Sequence, residues 1–154
     1  MRILLVEDDE YKRRKILSFL QESIPEVIVR EARSVQSGLR GIMAGENDVV
    51  ILDMTMPTFD IGPEEDGGRP QAYAGRELLR NMKRKGITTP TLVVTQFDRF
   101  GQGADVLTLA ELDAQLRSEH SGYYLGAIYY NVMEEGWKGE LLAVLNELRR
   151  ASAE

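Results

Sequence analysis

The amino-acid sequence predicts an α/β fold, namely a doubly wound five-stranded parallel sheet with helices on both faces. Five short apolar segments alternate with five segments of helical periodicity, and such alternation is typical of consecutive βαβ units. Several of the apolar runs lack polar alternation, which indicates strands that are buried on both faces. Because crossovers between parallel strands are right-handed, few topologies remain.

These signals alternate from the first residues onward. After the apolar run RILLV, Ile16, Phe19 and Leu20 fall at helical spacing. The basic run KRRK at 12–15 is predicted to form a solvated helix face, and docking of an acidic partner surface is the less favoured interpretation. The predicted strands are 2–6, 26–32, 48–53, 89–95 and 122–131, and the predicted helices are 10–24, 35–45, 74–86, 108–119 and 137–150.

Capping signals support several helix boundaries. Ser34 can cap the second helix through its side-chain oxygen. Thr108 and Glu111 form a capping-box signature at the start of the fourth helix. Gly86 follows the basic last turn of the third helix, as is common at C-terminal ends.

Two segments are longer than a minimal βα repeat requires. They are an inserted loop at about 58–73 and an extended loop at about 96–107, and long loops in compact domains are often functional. The chain shows no internal repeat, linker or low-complexity tract. We predict a single domain over residues 1–154, with no output domain after the fifth helix.

Composition excludes several classes of function. The chain has 154 residues and a net charge of -6, and this acidic balance argues against a nucleic-acid surface. It has no cysteine, which excludes disulfides and thiolate metal sites and favours a reducing compartment. No segment has the length needed for a signal peptide or a membrane span. A cytoplasmic location is expected.

Carboxylates and a hydroxyl follow three of the predicted strands. The first strand ends at Glu7 and Asp8, the third at Asp53, and the fourth at Thr95. Ligands of open α/β sheets bind at the carboxyl ends of the strands, and clustered carboxylates repel one another unless a cation lies among them. Oxygen ligands suit Mg²⁺, and a carboxylate beside it can attack a phosphoryl group. The structural alternative is that the acids up to Asp9 simply open a helix.

The motifs ILLVEDDE, DVVILDMTMP and TLVVT, taken together in this order, resemble the response-regulator receiver domain of two-component signalling. The resemblance covers nearly the whole chain. It implies the CheY-like, flavodoxin-like strand order 2-1-3-4-5. It also implies phosphorylation by a histidine kinase or a histidine phosphotransfer protein.

The resemblance assigns a role to each polar residue at the predicted site. Asp53 matches the phosphoacceptor, and Asp8 matches the acid that binds Mg²⁺ directly. Glu7 matches the companion acid that often binds through water. Thr55 matches the position whose backbone carbonyl is a metal ligand, and Thr95 matches the hydroxyl that reaches toward the phosphoryl group.

One departure from the family is a missing cation. Receivers carry a lysine, usually followed by proline, at the end of their fifth strand, but here Tyr129 or Tyr130 stands near that place. The lysine neutralises phosphoryl charge, so its loss is expected to slow phosphorylation or change how the bound state is recognised. We hypothesise that Arg69, Arg99 or Lys138 replaces it.

Other aromatic and titratable residues have plainer interpretations. The tyrosines at 123, 124, 129 and 130 are predicted to be strand-packing residues with outward rings at an edge or interface. His120, the only histidine, is predicted to place a favourable charge at a helix end.

The sequence thus predicts a stand-alone receiver that accepts a phosphoryl group on Asp53 with Mg²⁺. It is expected to signal through altered partner binding, or to act as a phosphate relay or sink, with self-dephosphorylation as its only catalysis. Direct nucleic-acid or membrane contact is not expected, and the last strand and helix offer a face for a homodimer. The alternative is a pseudo-receiver interaction module. The missing lysine favours it, and so does Gln96, which directly follows Thr95 where the family usually has a small residue. A metal-dependent phosphohydrolase is disfavoured, because Thr55 stands where one such family has an aspartate.

Overall fold

A central parallel sheet organises the chain. The computed structural model describes residues 1–60 and 70–153, and the sheet order is β2-β1-β3-β4-β7, so the predicted fold class and strand order are confirmed. The predicted fifth strand is β7, because a short ribbon precedes it along the chain. The sheet strands are β1 (Arg2–Val6), β2 (Ile28–Ala32), β3 (Val49–Leu52), β4 (Thr91–Thr95) and β7 (Tyr124–Tyr129).

Among the described residues, five α-helices connect and follow the strands, and two of them begin at the predicted caps. Asp9 caps the first helix by accepting a hydrogen bond from the Lys12 amide. Ser34 caps the second, and Thr108 and Glu111 form the expected capping box of the fourth. The helices are α1 (Glu10–Ser23), α2 (Val35–Met43), α3 (Ala74–Arg84), α4 (Leu109–Glu119) and α5 (Gly136–Ala153).

Two apolar cores lie on opposite faces of the sheet. Leu4 and Val6 of β1 belong to the core that α2, α3 and α4 cover. Ile3 and Leu5 belong to the core that α1 and α5 cover. Because both faces are covered, the central strand β3 is apolar at every position, which explains its continuous run in the sequence. No helix among the described residues is long and apolar enough to cross a membrane.

The aromatic residues around β7 are more buried than predicted. Tyr123, Tyr124 and Tyr130 are buried, and only Tyr129 is exposed, so the expectation of outward rings is wrong for three of the four. Although β7 is an edge strand, α4 packs against it, and the Tyr130 ring lies 5.0 Å from that of Trp137 in α5. Both faces of this edge strand are therefore covered.

The two long loops have described portions. Residues 96–107 include the first strand of an antiparallel ribbon, β5 (Arg99–Phe100), which pairs with β6 (Leu107–Thr108). The hydroxyl of Tyr73 donates to the carbonyls of Phe100 and Asp105, at 2.9 and 2.8 Å. This contact ties the ribbon to the start of α3. Part of the inserted loop, residues 61–69, lies outside the described residues.

Candidate functional site

The sheet register brings the predicted acids together. Val6 of β1 pairs with Leu52 of β3, so the next residues, Glu7 and Asp53, leave the sheet side by side. The amide of Asp53 donates to the Val6 carbonyl at 3.0 Å. Carboxylate oxygens of Glu7, Asp8 and Asp53 all lie within 4.8 Å of one another. We call these three residues the acidic cluster.

Burial sets the electrostatics of this cluster. Glu7 and Asp53 are only 1% and 3% exposed, whereas Asp8 is half-buried. Burial raises the pKa of Glu7, the charge of Lys12 opposes that rise, and Asp53 adds to it. Burial also raises the pKa of Asp8, and the charge of Asp53 contributes. An added cation would therefore favour the ionised forms of these acids.

A buried lysine lies inside the cluster. The Lys12 Nζ is 2.5 Å from Glu7 Oε1 and 3.4 Å from Asp53 Oδ1, and it donates to the Val94 carbonyl at 2.7 Å. The side chain of Lys12 is 1% exposed. The ammonium therefore links the ends of β1, β3 and β4 from the first turn of α1.

The basic run at 12–15 is thus not one solvated face, and that prediction is wrong for its first half. Lys12 and Arg13 are buried, while Arg14 and Lys15 are exposed. The sequence held a signal for Lys12, because residues 12, 16 and 20 share one helix stripe with two apolar members. The charge of Lys12 favours exposure to solvent, but the carboxylates at the carboxyl end of the sheet give its ammonium buried partners.

The two threonines occupy defined positions near the acids. Thr95 is fully buried at the end of β4, and its Oγ1 accepts a hydrogen bond from the Phe97 amide at 3.2 Å. The Thr55 hydroxyl donates to the Ala72 carbonyl at 3.2 Å, which ties the loop after β3 to the segment before α3. The roles predicted for the Thr95 hydroxyl and the Thr55 carbonyl stay predictions.

The cations proposed as lysine replacements lie in other contacts where they are described. Arg99 is exposed on the β5–β6 ribbon. The Lys138 Nζ pairs with Glu135 at 3.0 Å. Arg69 lies outside the described residues. At the end of β7, the Tyr130 amide donates to the Thr95 carbonyl at 2.7 Å, which places Tyr130 beside Thr95.

The donor set fits a magnesium ion. Mg²⁺ prefers carboxylate, carbonyl and water oxygens, and the cluster offers three carboxylates. When all are ionised, these carboxylates outnumber the ammonium of Lys12 by two charges, which matches a divalent cation. Glu7, Asp8 and Asp53 are the residues that would hold it.

A doubly wound parallel sheet with an acidic cluster at the carboxyl ends of β1 and β3 defines a CheY-like class of protein. The family model of the response regulator receiver domain matches residues 3–115. The chain belongs to this family. Receiver domains are generally signalling modules rather than enzymes.

Known proteins similar to this chain include a response regulatory protein and solved structures that share its fold. Detocs response regulatory protein DtcB of Enterobacter cloacae (strain JD6301) is 28% identical over 150 residues, which cover 96% of this chain and 100% of that protein. TrrA of Thermotoga maritima, solved in complex with Mg²⁺-BeF, matches with a TM-score of 0.58 and 19% identity, covering 93% of this chain and 97% of that one. The structure of the CheA3 P1 domain with CheY6 from R. sphaeroides matches with a TM-score of 0.59 and 21% identity, covering 97% and 96%.

Proposed function

We propose that this chain is a single-domain receiver that accepts a phosphoryl group on Asp53 in a Mg²⁺-dependent reaction. The observation that carries the proposal is the convergence of the oxygens of Glu7, Asp8 and Asp53 within 4.8 Å at the carboxyl end of the sheet. Family membership supports the same chemistry. The phosphorylated chain then signals through altered affinity for a partner, or stores the phosphoryl group as a relay or sink.

The proposed reaction uses these groups as follows. A carboxylate oxygen of Asp53 forms a bond to phosphorus while the P–N bond of a donor phosphohistidine breaks. The imidazole keeps the electron pair of that bond and takes up a proton. Mg²⁺, when bound, would supply positive charge to the phosphoryl oxygens. Asp53 Oδ1 accepts a hydrogen bond from the Met54 amide at 2.7 Å, which orients the carboxylate.

Thr95, at the end of β4, is the hydroxyl donor in this proposal. The bond that its Oγ1 accepts from the Phe97 amide uses an oxygen lone pair, so the hydroxyl proton remains for a phosphoryl oxygen. Such a donor stabilises charge that develops during transfer. We assign Thr95 this role, and we assign the Thr55 backbone carbonyl a place among the metal ligands.

Membership of the receiver family also suggests the partners that we propose. The phosphoryl donor would be a sensor histidine kinase or a histidine phosphotransfer protein, and the solved complex of CheA3 P1 with CheY6 provides a parallel at the level of the fold. The complex of TrrA with Mg²⁺-BeF provides the parallel for the metal. We place the protein in the cytoplasm, where such kinases present their phosphohistidine, and its output partner would bind there.

One observation favours a second candidate function. Because the Lys12 ammonium already lies between Glu7 and Asp53, the cluster carries a cation of its own. A receiver fold neutralised in this way can serve as a protein-interaction module in which Asp53 is never phosphorylated. This candidate predicts a cluster that binds no Mg²⁺.

Phosphorylation is tested by intact mass after incubation with acetyl phosphate and Mg²⁺. We expect the wild-type chain to gain the mass of one phosphoryl group and Asp53→Asn to gain none. Asp48→Asn is the matched control, because Asp48 lies exposed at the opposite end of β3, where it accepts a hydrogen bond from the Arg2 amide. A wild-type chain that stays unlabelled would contradict the proposal.

A further inference from the structure

We infer that Lys12, which reaches the acidic cluster from α1, supplies the positive charge that stabilises a phosphoryl group on Asp53. This inference rests on the proposed function and adds a residue to it. In the family this task belongs to a lysine at the end of the last sheet strand, which this chain lacks. The charge would thus come from a helix instead of a strand.

The contacts of Lys12 hold its ammonium in one place. A buried ammonium is costly unless it is paired and hydrogen-bonded, and Lys12 has both kinds of partner. Glu7 Oε1 and the Val94 carbonyl are its short contacts, at 2.5 and 2.7 Å, whereas Asp53 Oδ1 is farther away at 3.4 Å. Glu7 and Val94 therefore anchor the ammonium, and Asp53 is the partner that it can exchange.

This arrangement suits an incoming phosphoryl group. An ammonium has three N–H donors and no acceptor. When Asp53 becomes an acyl phosphate, its negative charge moves outward onto phosphoryl oxygens. The N–H that faces Asp53 can follow the charge, while Glu7 and Val94 retain the other two. Hydrogen bonds between charged groups are the strong ones, so Lys12 would favour both formation and survival of the acyl phosphate.

The position of Tyr130 shows how Lys12, on α1, can take the role of a lysine at the end of the last sheet strand. Its ring is buried at the end of β7, beside Thr95, near the place where the family lysine is expected. The Lys12 Nζ lies 5.7 Å from the centroid of that ring, which is within the range of a cation–π contact. The tyrosine therefore lies near the place expected for the missing lysine, and its ring faces the ammonium of Lys12.

Other described cations near this end of the sheet have different partners. Arg13 Nε pairs with Glu31 at 3.2 Å, and its Nη1 donates to the Glu7 carbonyl at the same distance. Lys138 pairs with Glu135, and Arg99 is exposed. Among the described residues, Lys12 is the cation with an ion pair to Asp53. We therefore favour it over Arg99 and Lys138, the two suggested replacements that the structure describes.

The test replaces Lys12 and follows two properties that should move in opposite directions. Lys12→Met removes the charge, and Lys12→Gln removes the charge but keeps an N–H donor. Lys15→Met is the matched control on the same helix, because Lys15 is exposed and its Nζ lies over the Tyr11 ring at 5.5 Å. Mg²⁺ affinity is read from the fluorescence of Trp137, the only tryptophan, whose ring is 5.0 Å from that of Tyr130.

We expect both Lys12 variants to bind Mg²⁺ about three- to tenfold more tightly than wild type, because a nearby positive charge is gone. We expect their labelling by acetyl phosphate to slow by about tenfold or more, because the charge-assisted hydrogen bond is lost. Lys15→Met should match wild type in both measurements. A purely structural role for Lys12 would not separate the two properties in this way.

A rescue variant tests whether charge is the cause. Tyr130→Lys in the Lys12→Met background returns an ammonium to this end of the sheet from the residue after β7, and we expect labelling to recover in part. Urea unfolding of each variant shows that the protein is folded. If the folded double variant labels no faster than Lys12→Met, the inference is contradicted.

Two further results would overturn the inference. One is a folded Lys12→Gln protein that labels at the wild-type rate. The other is a wild-type chain that binds no Mg²⁺ beside a Lys12→Met variant that does, since Lys12 would then replace the metal. Failure of the proposed function is distinct, because the wild type itself would then show no labelling that Asp53→Asn abolishes.

Discussion

The two ends of the parallel sheet bury titratable groups in different ways. At the carboxyl end, the Lys12 ammonium lies between the carboxylates of Glu7 and Asp53. At the amino end, fully buried His120 follows α4, and its Nδ1 lies 2.5 Å from the Tyr123 hydroxyl. Within the described part of the chain, His120 Nε2 has no hydrogen-bond partner. One end holds a buried cluster of opposite charges, and the other holds a buried ring that contacts the Tyr123 hydroxyl and lies 3.8 Å from Glu119 Oε2.

The carboxyl end has the charges of a candidate functional site, whereas the amino end buries His120 as a packing residue. Burial lowers the pKa of His120, the charges of Lys83 and Arg80 add to the fall, and Glu119 opposes it. The ring is therefore neutral at neutral pH, and the prediction of a favourable helix-end charge is wrong. A neutral ring needs no counter-charge, whereas the acidic cluster keeps opposite charges together at a desolvation cost. Charged groups that stay buried despite this desolvation cost are typical of functional sites.

The strongest way to break this comparison is to remove the charge at the carboxyl end. We expect Lys12→Met to lower the free energy of unfolding by about 3 to 5 kcal/mol without metal, because two buried carboxylates lose their counter-charge. Mg²⁺ should restore part of the loss, since it binds only the folded cluster. Urea unfolding with and without Mg²⁺ measures both effects. An unchanged unfolding midpoint would show that the buried ion pair does not support the fold.

A second change tests how closely α3 approaches the site. Gly75 lies in the first turn of α3, and a Cβ there would meet the Asp53 carbonyl oxygen at 2.5 Å and the Met54 Cα at 3.0 Å. Both atoms are backbone, so they cannot rotate away. We expect Gly75→Ala to cost about 1 to 3 kcal/mol through overpacking, and to slow acetyl-phosphate labelling because the loop after Asp53 moves. A stability equal to that of wild type would show that α3 can shift freely.

A third change concerns pH and the amino end. The pKa of His120 is lower in the folded chain than in the unfolded chain. The stability that it contributes is therefore full above the unfolded pKa of about 6.5, and it is lost as the pH falls through the folded pKa. The slope from one such group is at most about 1.4 kcal/mol per pH unit. Urea unfolding between pH 7 and pH 5 should show this loss in wild type, and His120→Gln should lack it.

Protonation of carboxylates lowers the stability of wild type and of His120→Gln alike. The difference between the two proteins removes this shared contribution. If wild type and His120→Gln lose stability in parallel on acidification, His120 is not held neutral by burial. The comparison between the two ends of the sheet would then lose its electrostatic basis.

The substitution with the smallest expected effect is Gly139→Ala, which is the control for Gly75→Ala. Gly139 lies in α5, and a Cβ there would meet nothing within 4 Å. Gly139→Ala should therefore raise the free energy of unfolding by about 0.5 to 1 kcal/mol, since alanine is the better helix former. Thermal unfolding checks it, and a lower melting temperature would contradict the open environment of this position.

Local signals in the sequence predicted most of the fold. The alternation of runs predicted the parallel sheet, and the resemblance to receiver domains implied its strand order. The caps at Ser34 and Thr108 predicted two helix starts. The β5–β6 ribbon was not predicted, because two residues in each strand carry no periodicity. Its position depends on contacts such as the Tyr73 hydroxyl with the ribbon carbonyls, which join residues far apart in the sequence.

The residues of the candidate site also divide into those that the sequence predicts and those that only the fold reveals. The convergence of Glu7, Asp8 and Asp53 could be predicted, because each lies within two residues of the end of a buried strand whose neighbours the fold class defines. Lys12 could not be assigned from its charge, which favours solvent. Only the position of α1 across the ends of β1 and β3 gives its ammonium buried partners. A charged residue on an otherwise apolar helix stripe is the signal to use in similar chains.

The central claim is that the acidic cluster binds a divalent cation and a phosphoryl group on Asp53. Fluorine NMR with beryllofluoride, a phosphoryl mimic, tests it directly. We predict bound fluoride signals that require Mg²⁺, disappear in Asp53→Asn and persist in Asp48→Asn. The absence of any bound signal from the folded wild-type chain with saturating Mg²⁺ would contradict the claim.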